Sequence, residues 1–503
     1  MPPGGASAMS RYVPRPRPSL VFALLLLAGA SAGASQRERP TPPGPEGREI
    51  QRSGLRSEAE IASATFVALD FKGFPTLPAW KVPATDAIFV STDGDDHGTG
   101  EEISPFRTLA RAVRAASAGD TIVAEGGTYR EVWEPDDHRA LLLETDNLTL
   151  MAAPGETVRL QPAAGVGYGI VINARHVVVR GFHLDGFAKV GILFEPGRVR
   201  NRDIVLANLE ITGSEEAIAM WEAAGSVDEL LLVDVETDAI VHCGHGPCSS
   251  WRLERVVIDA SGGEGWGADA FAVESGDNIL IVDTEVRGAT SDGIDTKATR
   301  VVVLNSRVRG VQNNAIKLWH GGDVINTVIW RGWASPVWVE RGRFRFLHSV
   351  VGFGRALARH RDYSLVCGYD ERRPMKIEIV NSIIANPSGG VWINPETSKL
   401  AIRNTLFYTT DGSEILIHGE FEAELQGGGV RSVNRRYGSG NLAADPMLDR
   451  KLRPARSSPA VDAGVRLTHD YPIFDHKGKP RLVGEAPDIG AYELQEAQES
   501  LDP

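Results

Sequence analysis

Short runs of branched apolar residues, each interrupted by one polar residue, recur along the chain. Aligned on the polar position they read IVLANLEI (Asn208), LLLVDVET (Asp234), ILIVDTEV (Asp283), VVVLNSRV (Asn305), VINTVI (Asn326), FRFLHSVV (His348), IEIVNSII (Asn381) and AIRNTLF (Asn404). The steps between them are 26, 49, 22, 21, 22, 33 and 23 residues, and the longest holds a further copy, WRLERVVI, with Arg255 in the polar slot. A period near 22 residues, with β-branched strands and no helical stripe between them, predicts one coil of a stacked solenoid per repeat. Each coil buries its apolar side only against its neighbours. Asn suits the polar rung because it tolerates a left-handed turn and its amide can bond from coil to coil. The expected fold is all-β, a parallel β-helix. A propeller or sandwich would need hairpin turns such as Asn-Gly between strands, and few are present.

A second column follows each ladder strand: EAIAM from Glu216, DAIVH from Asp238, DAFAV from Asp269, DGIDT from Asp292, NAIKL from Asn314 and SPVWV from Ser335. The third residue is always apolar and is expected to point inward. Strand alternation then sends the fourth outward: Ala219, Val241, Ala272, Asp295, Lys317 and Trp338. With coils about 4.8 Å apart, Asp269, Asp292 and Asp295 should meet on one face, with Lys317 one coil above Asp295. Stacked carboxylates repel unless a cation neutralises them, and an oxygen-only donor set favours calcium over zinc. The plainer alternative is a solvated acidic face with a single Asp295–Lys317 ion pair.

At both ends the period is lost. Arg11, Arg15 and Arg17 precede the apolar run LVFALLLLAGA (Leu20 to Ala30), and Ala32-Gly33-Ala34 offers small residues for cleavage. Residues 1–34 are therefore expected to be a signal peptide, giving a secreted or cell-envelope protein (extracellular or periplasmic) without stable membrane insertion. Residues 35–85 read as a Pro/Gly-rich linker and lead-in, disordered to about residue 60. The β-helix is expected over 86–425, with a capping helix at about 105–118 carrying Phe106, Leu109, Ala112, Val113 and Ala116 on one face. Residues 426–503 read as an irregular segment packing on the solenoid. Cys243 and Cys248 are expected to form a small disulfide loop, or with His242 and His245 a soft-metal site, and Cys367 a buried thiol.

The net charge of −13, from 53 basic and 66 acidic residues, argues against nucleic acid as a partner. Its distribution is uneven. Residues 269–295 hold seven acids and one Arg, whereas 341–361 hold six Arg, two His and no acid. Acid with a cation beside a basic strip suits an acidic polysaccharide lying along the axis. His320, Trp338, Arg355 and Arg359 are the expected substrate-binding residues, with Trp319 and Trp392 as further stacking platforms. The chain is expected to act as a monomer.

Three stretches resemble known families. FVSTDGDDHGTGEEISPFRTLARAVRAASAGDTIVAEGGTYRE resembles the opening segment of many secreted right-handed parallel β-helix proteins, several polysaccharide-lyase families among them. NLAADPMLDRKLRPARSSPAVDAG with PDIGAYE resembles the C-terminal segment of bacterial surface β-helix proteins. GADAFAVESGDNILIVDTEVRGATSDGIDTKATRVVVLNSRVRGVQNNAIKLW resembles the active-site coils of family-nine pectate lyases. That resemblance implies that Asp269, Asp292 and Asp295 are calcium ligands and that Lys317 is the catalytic base of a β-elimination on a uronate polymer. The chain departs from the pattern at Ser291, where the family has an Asp. A neutral Lys317 and an alkaline optimum would follow. Two other functions remain open from the residues. One is a glycoside hydrolase using Asp292 with Asp295 or Asp269. The other is a non-catalytic carbohydrate-binding or surface β-helix.

Overall fold

The computed structural model describes residues 55–64, 69–71, 74–82, 86–195, 200–220, 225–244, 246–262, 268–330, 335–352, 364–368, 374–385, 391–393, 398–408, 417–418, 429–467 and 472–495. Met1–Glu49, which includes the expected signal peptide, is a separate unit outside these residues; the fold is that of Ile50–Pro503.

Each polar rung sits in the left-handed region, with φ of 50° at Asn208, 48° at Asp283, 50° at Asn305, 44° at His348 and 45° at Asn404. These residues turn the chain between two strands. Six-residue strands such as Asp277–Val282 and Thr299–Leu304 precede the turn, and three-residue strands such as Glu285–Arg287 and Arg307–Arg309 follow it. Both sets pair parallel with the equivalent strands of neighbouring coils. A third side of each coil belongs to a separate sheet of twelve strands, all parallel. The chain is thus a three-sided parallel β-solenoid, and the all-β fold expected from the period is the one observed.

The corners differ in kind. Two residues separate the strands at each ladder corner from Glu254 and Val257 to Arg403 and Leu406, whereas on earlier coils the strand runs unbroken through Asn208 and Asp234. Both corners that flank the third sheet vary in length. Two residues lie between Thr237 and Ile240, but twelve between Gly352 and Leu365. The corner leaving the third sheet is also left-handed, at His176, Asp203, Glu229, Ser250, Asn278 and Arg300.

Hydroxyls knit the ladder corner. Backbone N–H groups of Thr284, Ser306, Thr327 and Ser349 donate to the side chains of Ser306, Thr327, Ser349 and Ser382, one coil on, at 3.2, 3.4, 3.0 and 3.2 Å. These hydroxyls are buried, and each in turn donates to a backbone carbonyl two residues back. Inside, Phe271, Ile294, Ile316 and Val337 stack with Trp251 and the ladder-strand side chains in one continuous core.

The capping helix is shorter than the sequence suggests, Leu109–Ala115. Thr108 caps it by accepting from Arg111 N, and the buried Glu131 carboxylate accepts from Leu109 N and Ala110 N. Phe106 lies before the helix, bridged to Val90 in extended backbone, yet is still buried.

Segments from both termini pack on the outside. Residues 55–64 form local structure despite the linker composition: Ser57 and Glu60 cap the helix Glu58–Ala64 reciprocally. Ile61, Leu69 and Phe74 then pack on Leu280, Val302 and Leu304. Arg56 reaches Asp283 at 2.8 Å and its N–H reaches Glu254. Near the C-terminus, Leu452, Ala460, Ile489 and Tyr492 cover Val328, Val350 and Ile383. Asn381 exchanges hydrogen bonds with Val465 N and O at 2.8 Å. No helix among the described residues is long and apolar enough to cross a membrane.

Candidate active site

The outward column of the twelve-stranded sheet runs, coil by coil, Leu142, Val171, Leu193, Ala219, His242, Ala272, Asp295, Lys317, Trp338, Val366 and Trp392. One member differs from expectation. Val241 is fully buried and pairs with Ile218 and Phe271, so His242 points outward instead. The cause is a register shift after Glu216, where the chain slips by one residue.

Asp269 and Asp292 stand just before their strands and Asp295 within one, so successive coils deliver three carboxylates to one point. One oxygen from each lies within 4.8 Å of the others. Asp292 and Asp295 are 2% and 6% exposed, and Asp269 is half-buried. Lys317 Nζ sits among them, 2.9 Å from Asp295 and 3.1 Å from Asp292. The other contacts are equally specific. Asp292 Oδ1 accepts from Asn314 N and Nδ2 at 2.8 and 2.9 Å, and Asp269 accepts from Asp292 N at 2.9 Å. Trp319 Nε1 donates to Asp295 at 2.7 Å.

Burial pushes the Asp269 and Asp295 carboxyls above the usual carboxylate range; for Asp295 it outweighs the hydrogen bond and charge of Lys317. Burial alone would lower the Lys317 amine. Its hydrogen bonds to Asp295 and Asp292, with their charges, overcome that and raise it. Lys317 is therefore an ammonium here, not the neutral amine a base requires. Three carboxylates against one ammonium leave the site short of positive charge. Ser291, where the resemblance expects an Asp, hydrogen-bonds Asp269 instead of adding a fourth carboxylate.

The remaining expected residues are dispersed. Trp338 stands one coil above Lys317, half-buried, its Nε1 held by Glu340 at 2.7 Å. His320 Nε2 contacts the Arg341 guanidinium. Arg355 and Arg359 lie outside the described residues. Within the basic strip, Arg345 is buried against Asp323 at 2.7 Å and His348 is a buried rung, so neither faces the site. Cys243 and Cys248 are joined in a disulfide, which removes their sulfurs from any metal site; His245 lies outside the described residues and Cys367 is buried.

Two contributors were not singled out from sequence. Asn314 occupies the slot of Asp269 and Asp292 in the aligned column, and that position was the available signal. Trp319, considered only as a sugar platform, is fixed from below by Asp295 and lies 5.1 Å from Lys317 Nζ and 5.4 Å from Lys297 Nζ across its ring. Lys297 is paired with Glu274 one coil down.

No protein-family model matches the chain. The uncharacterized protein YwoF of Bacillus subtilis (strain 168) is 46% identical over 46 residues, 9% of this chain and 10% of that protein. The chain thus spans about a tenth of the length of the curated relative it matches. Among solved structures, pectate lyase Pel9A is similar at TM-score 0.41 and 13% identity, over 82% of this chain and 97% of that one. A rhamnogalacturonan lyase is similar at TM-score 0.38 and 10% identity, over 66% and 90%. The mannuronan C-5 epimerase AlgE4 A-module of Azotobacter vinelandii gives 0.39 and 14%, over 57% and 92%. These values are too low to say anything of this chain's chemistry.

Proposed function

We propose that this chain is an exported polysaccharide lyase that cleaves a uronate-containing polymer by β-elimination, with Lys317 as base and a calcium ion at Asp269, Asp292 and Asp295. The observation that supports it is the amine at 2.9 and 3.1 Å from two buried carboxylates, with a third within 4.8 Å, on an outward face. The donor set fits a hard cation: it is all oxygen and negatively charged in excess of its ammonium. When bound, calcium supplies positive charge at those carboxylates and beside the uronate carboxylate of the substrate.

Lys317 must first lose a proton, because Asp295 and Asp292 hold it charged. The reaction is therefore favoured at alkaline pH, or when those carboxylates are otherwise neutralised. The neutral amine then takes the proton from the carbon next to the uronate carboxylate. The electron pair forms a carbon–carbon double bond, the bond to the leaving sugar oxygen breaks, and water protonates that oxygen. Trp319 and Asn314 keep Asp295 and Asp292 in place throughout.

A free acid–base pair of carboxylates, as a hydrolase needs, is less well supported, since Lys317 bridges Asp292 and Asp295. The same bridge favours a second reading, a non-catalytic carbohydrate-binding β-helix. Incubation with polygalacturonate, alginate and chondroitin, with and without chelator, separates them. A lyase yields unsaturated products absorbing in the near ultraviolet, lost in Lys317→Ala and in chelator. New reducing ends without that absorbance indicate hydrolysis. Binding without products, unchanged in Lys317→Ala, supports the non-catalytic reading.

A further inference from the structure

Charges at the corner leaving the twelve-stranded sheet change character along the axis. On the early coils they neutralise one another. His176 meets Asp203 at 2.7 Å, Arg202 meets Glu229 at 2.7 Å, and Arg300 meets Asp277 at 2.9 Å. Beyond the Lys317 coil this stops. Gly321 pairs in register with Arg343, Arg343 with Lys376, and Lys376 with Lys399. All three cations are exposed, and none has an ion-pair partner among the described residues. Parallel pairing spaces them about 4.8 Å apart. Like charges repel at that distance, and among the described residues nothing offsets it, whereas the earlier coils manage the same corner with neutral pairs.

The row starts one coil above Lys317 and passes the outward Trp338 and Trp392 on its way toward the C-terminal coils. The contact between His320 and Arg341 lies between it and Trp319. The opposite end of the same sheet face has the reverse charge. A cleft there is lined by Glu134, Asp136, Asp137 and Glu195 around Arg139, which is already paired with Asp137 and Glu195.

We infer that Arg343, Lys376 and Lys399 form a track that draws an anionic glycan from the Lys317 site toward the C-terminal coils; this rests on the reading of that site as one for a uronate polymer. A single row of cations at the coil spacing matches a linear polymer with regularly repeated carboxylates lying along the axis. It is too narrow for a membrane surface.

The test uses the full chain and the triple variant Arg343→Gln, Lys376→Gln, Lys399→Gln, with Lys317→Ala measured alongside. The three sites are exposed, so the variant should fold. Binding of long polygalacturonate, a neutral glucan, a single-stranded DNA oligomer and anionic phospholipid vesicles is titrated over a range of salt. The expected result is roughly tenfold weaker polygalacturonate binding by the triple variant at low salt, with a flatter salt dependence. Unchanged polygalacturonate binding by the triple variant overturns the track, even if cleavage is intact. So does DNA or vesicle binding as tight as that of polygalacturonate and equally dependent on the three cations. If nothing is cleaved but the triple variant still binds polygalacturonate about tenfold more weakly, the track stands and the lyase reading falls.

Discussion

Replacing Lys317 by methionine keeps the unbranched stem and removes the charged amine. The amine lies 2.9 and 3.1 Å from carboxylates whose side chains are 8% and 2% exposed, and is itself 20% exposed. Removing one partner of a buried ion pair costs about 3–5 kcal/mol, because the other charge is left without compensation. The partial exposure of Lys317 and its open outward face place the expected loss near ~3 kcal/mol. The measurement is denaturant unfolding at neutral pH in chelator. Two further arms isolate the cause. Adding Asp292→Asn and Asp295→Asn to Lys317→Met should recover most of the loss, since no orphaned carboxylate pair remains. Calcium should stabilise Lys317→Met more than the parent chain, because the ammonium no longer competes for the same oxygens; at a hundredfold excess over Kd the gain is about 2.7 kcal/mol. The folded pKa of Lys317 is raised above its ordinary value of 10.5, so its contribution is complete at neutral pH and is lost only as pH rises beyond that value. A loss below about 1 kcal/mol in chelator, the surface-pair range, would refute the buried-pair reasoning. Equal calcium stabilisation of both chains would refute the shared-oxygen account.

Other outcomes follow from the scaffold. Thr327→Val preserves volume but leaves the buried Ser306 N–H without its 3.4 Å acceptor, and should cost about 1–3 kcal/mol in thermal or denaturant unfolding. Burial pushes the Glu493 carboxyl up to about 7, above its ordinary 4.5. The stability tied to its protonated form is complete below 4.5 and is lost as pH rises through about 7. Ionised Glu493 must then share its site with Asp488 and Asp475, with Arg481 as the facing cation. Limited proteolysis of the C-terminal segment should accelerate from pH 6 to pH 8.5, and Glu493→Gln should flatten that dependence. Replacing Cys243 and Cys248 by Ser should cost about 2 kcal/mol by the loop-entropy relation, given the sequence separation of 5.

The solenoid was legible because its period is also its physical repeat, so residues about 22 apart in sequence become neighbours. The ladder corner stood out because most of its rungs are Asn or Asp, which tolerate a positive φ. The second left-handed corner did not. Its occupants run from His176 and Glu229 to Arg300, sharing no residue type, and tertiary packing holds them there. The meeting of Asp269, Asp292 and Asp295 followed from coil spacing alone. The charge state of Lys317 did not, since it depends on burial set against two hydrogen bonds. His242 was missed because a one-residue register slip leaves no mark in an apolar run. The short helix Glu58–Ala64 was signalled by Ser57 and Glu60, but a seven-residue helix is stable only through its docking on Leu280 and Leu304, which lie more than 200 residues away.

From Glu254–Val257 to Arg403–Leu406 the ladder corner keeps the same two-residue connection, while the corner entering the Lys317 sheet varies from two residues to twelve and the corner leaving it from two to seven. The molecule therefore has one constant keel and two gunwales of variable length. Over those coils stacking, and with it the placement of Asp269, Asp292 and Asp295 along the axis, is settled on the side where the connection is constant. Loops beside the reaction face can be lengthened, exchanged or grafted from another solenoid without moving a strand. Selection, or a designer, can thus rebuild the grip on a different polymer while the hull beneath stays as it is.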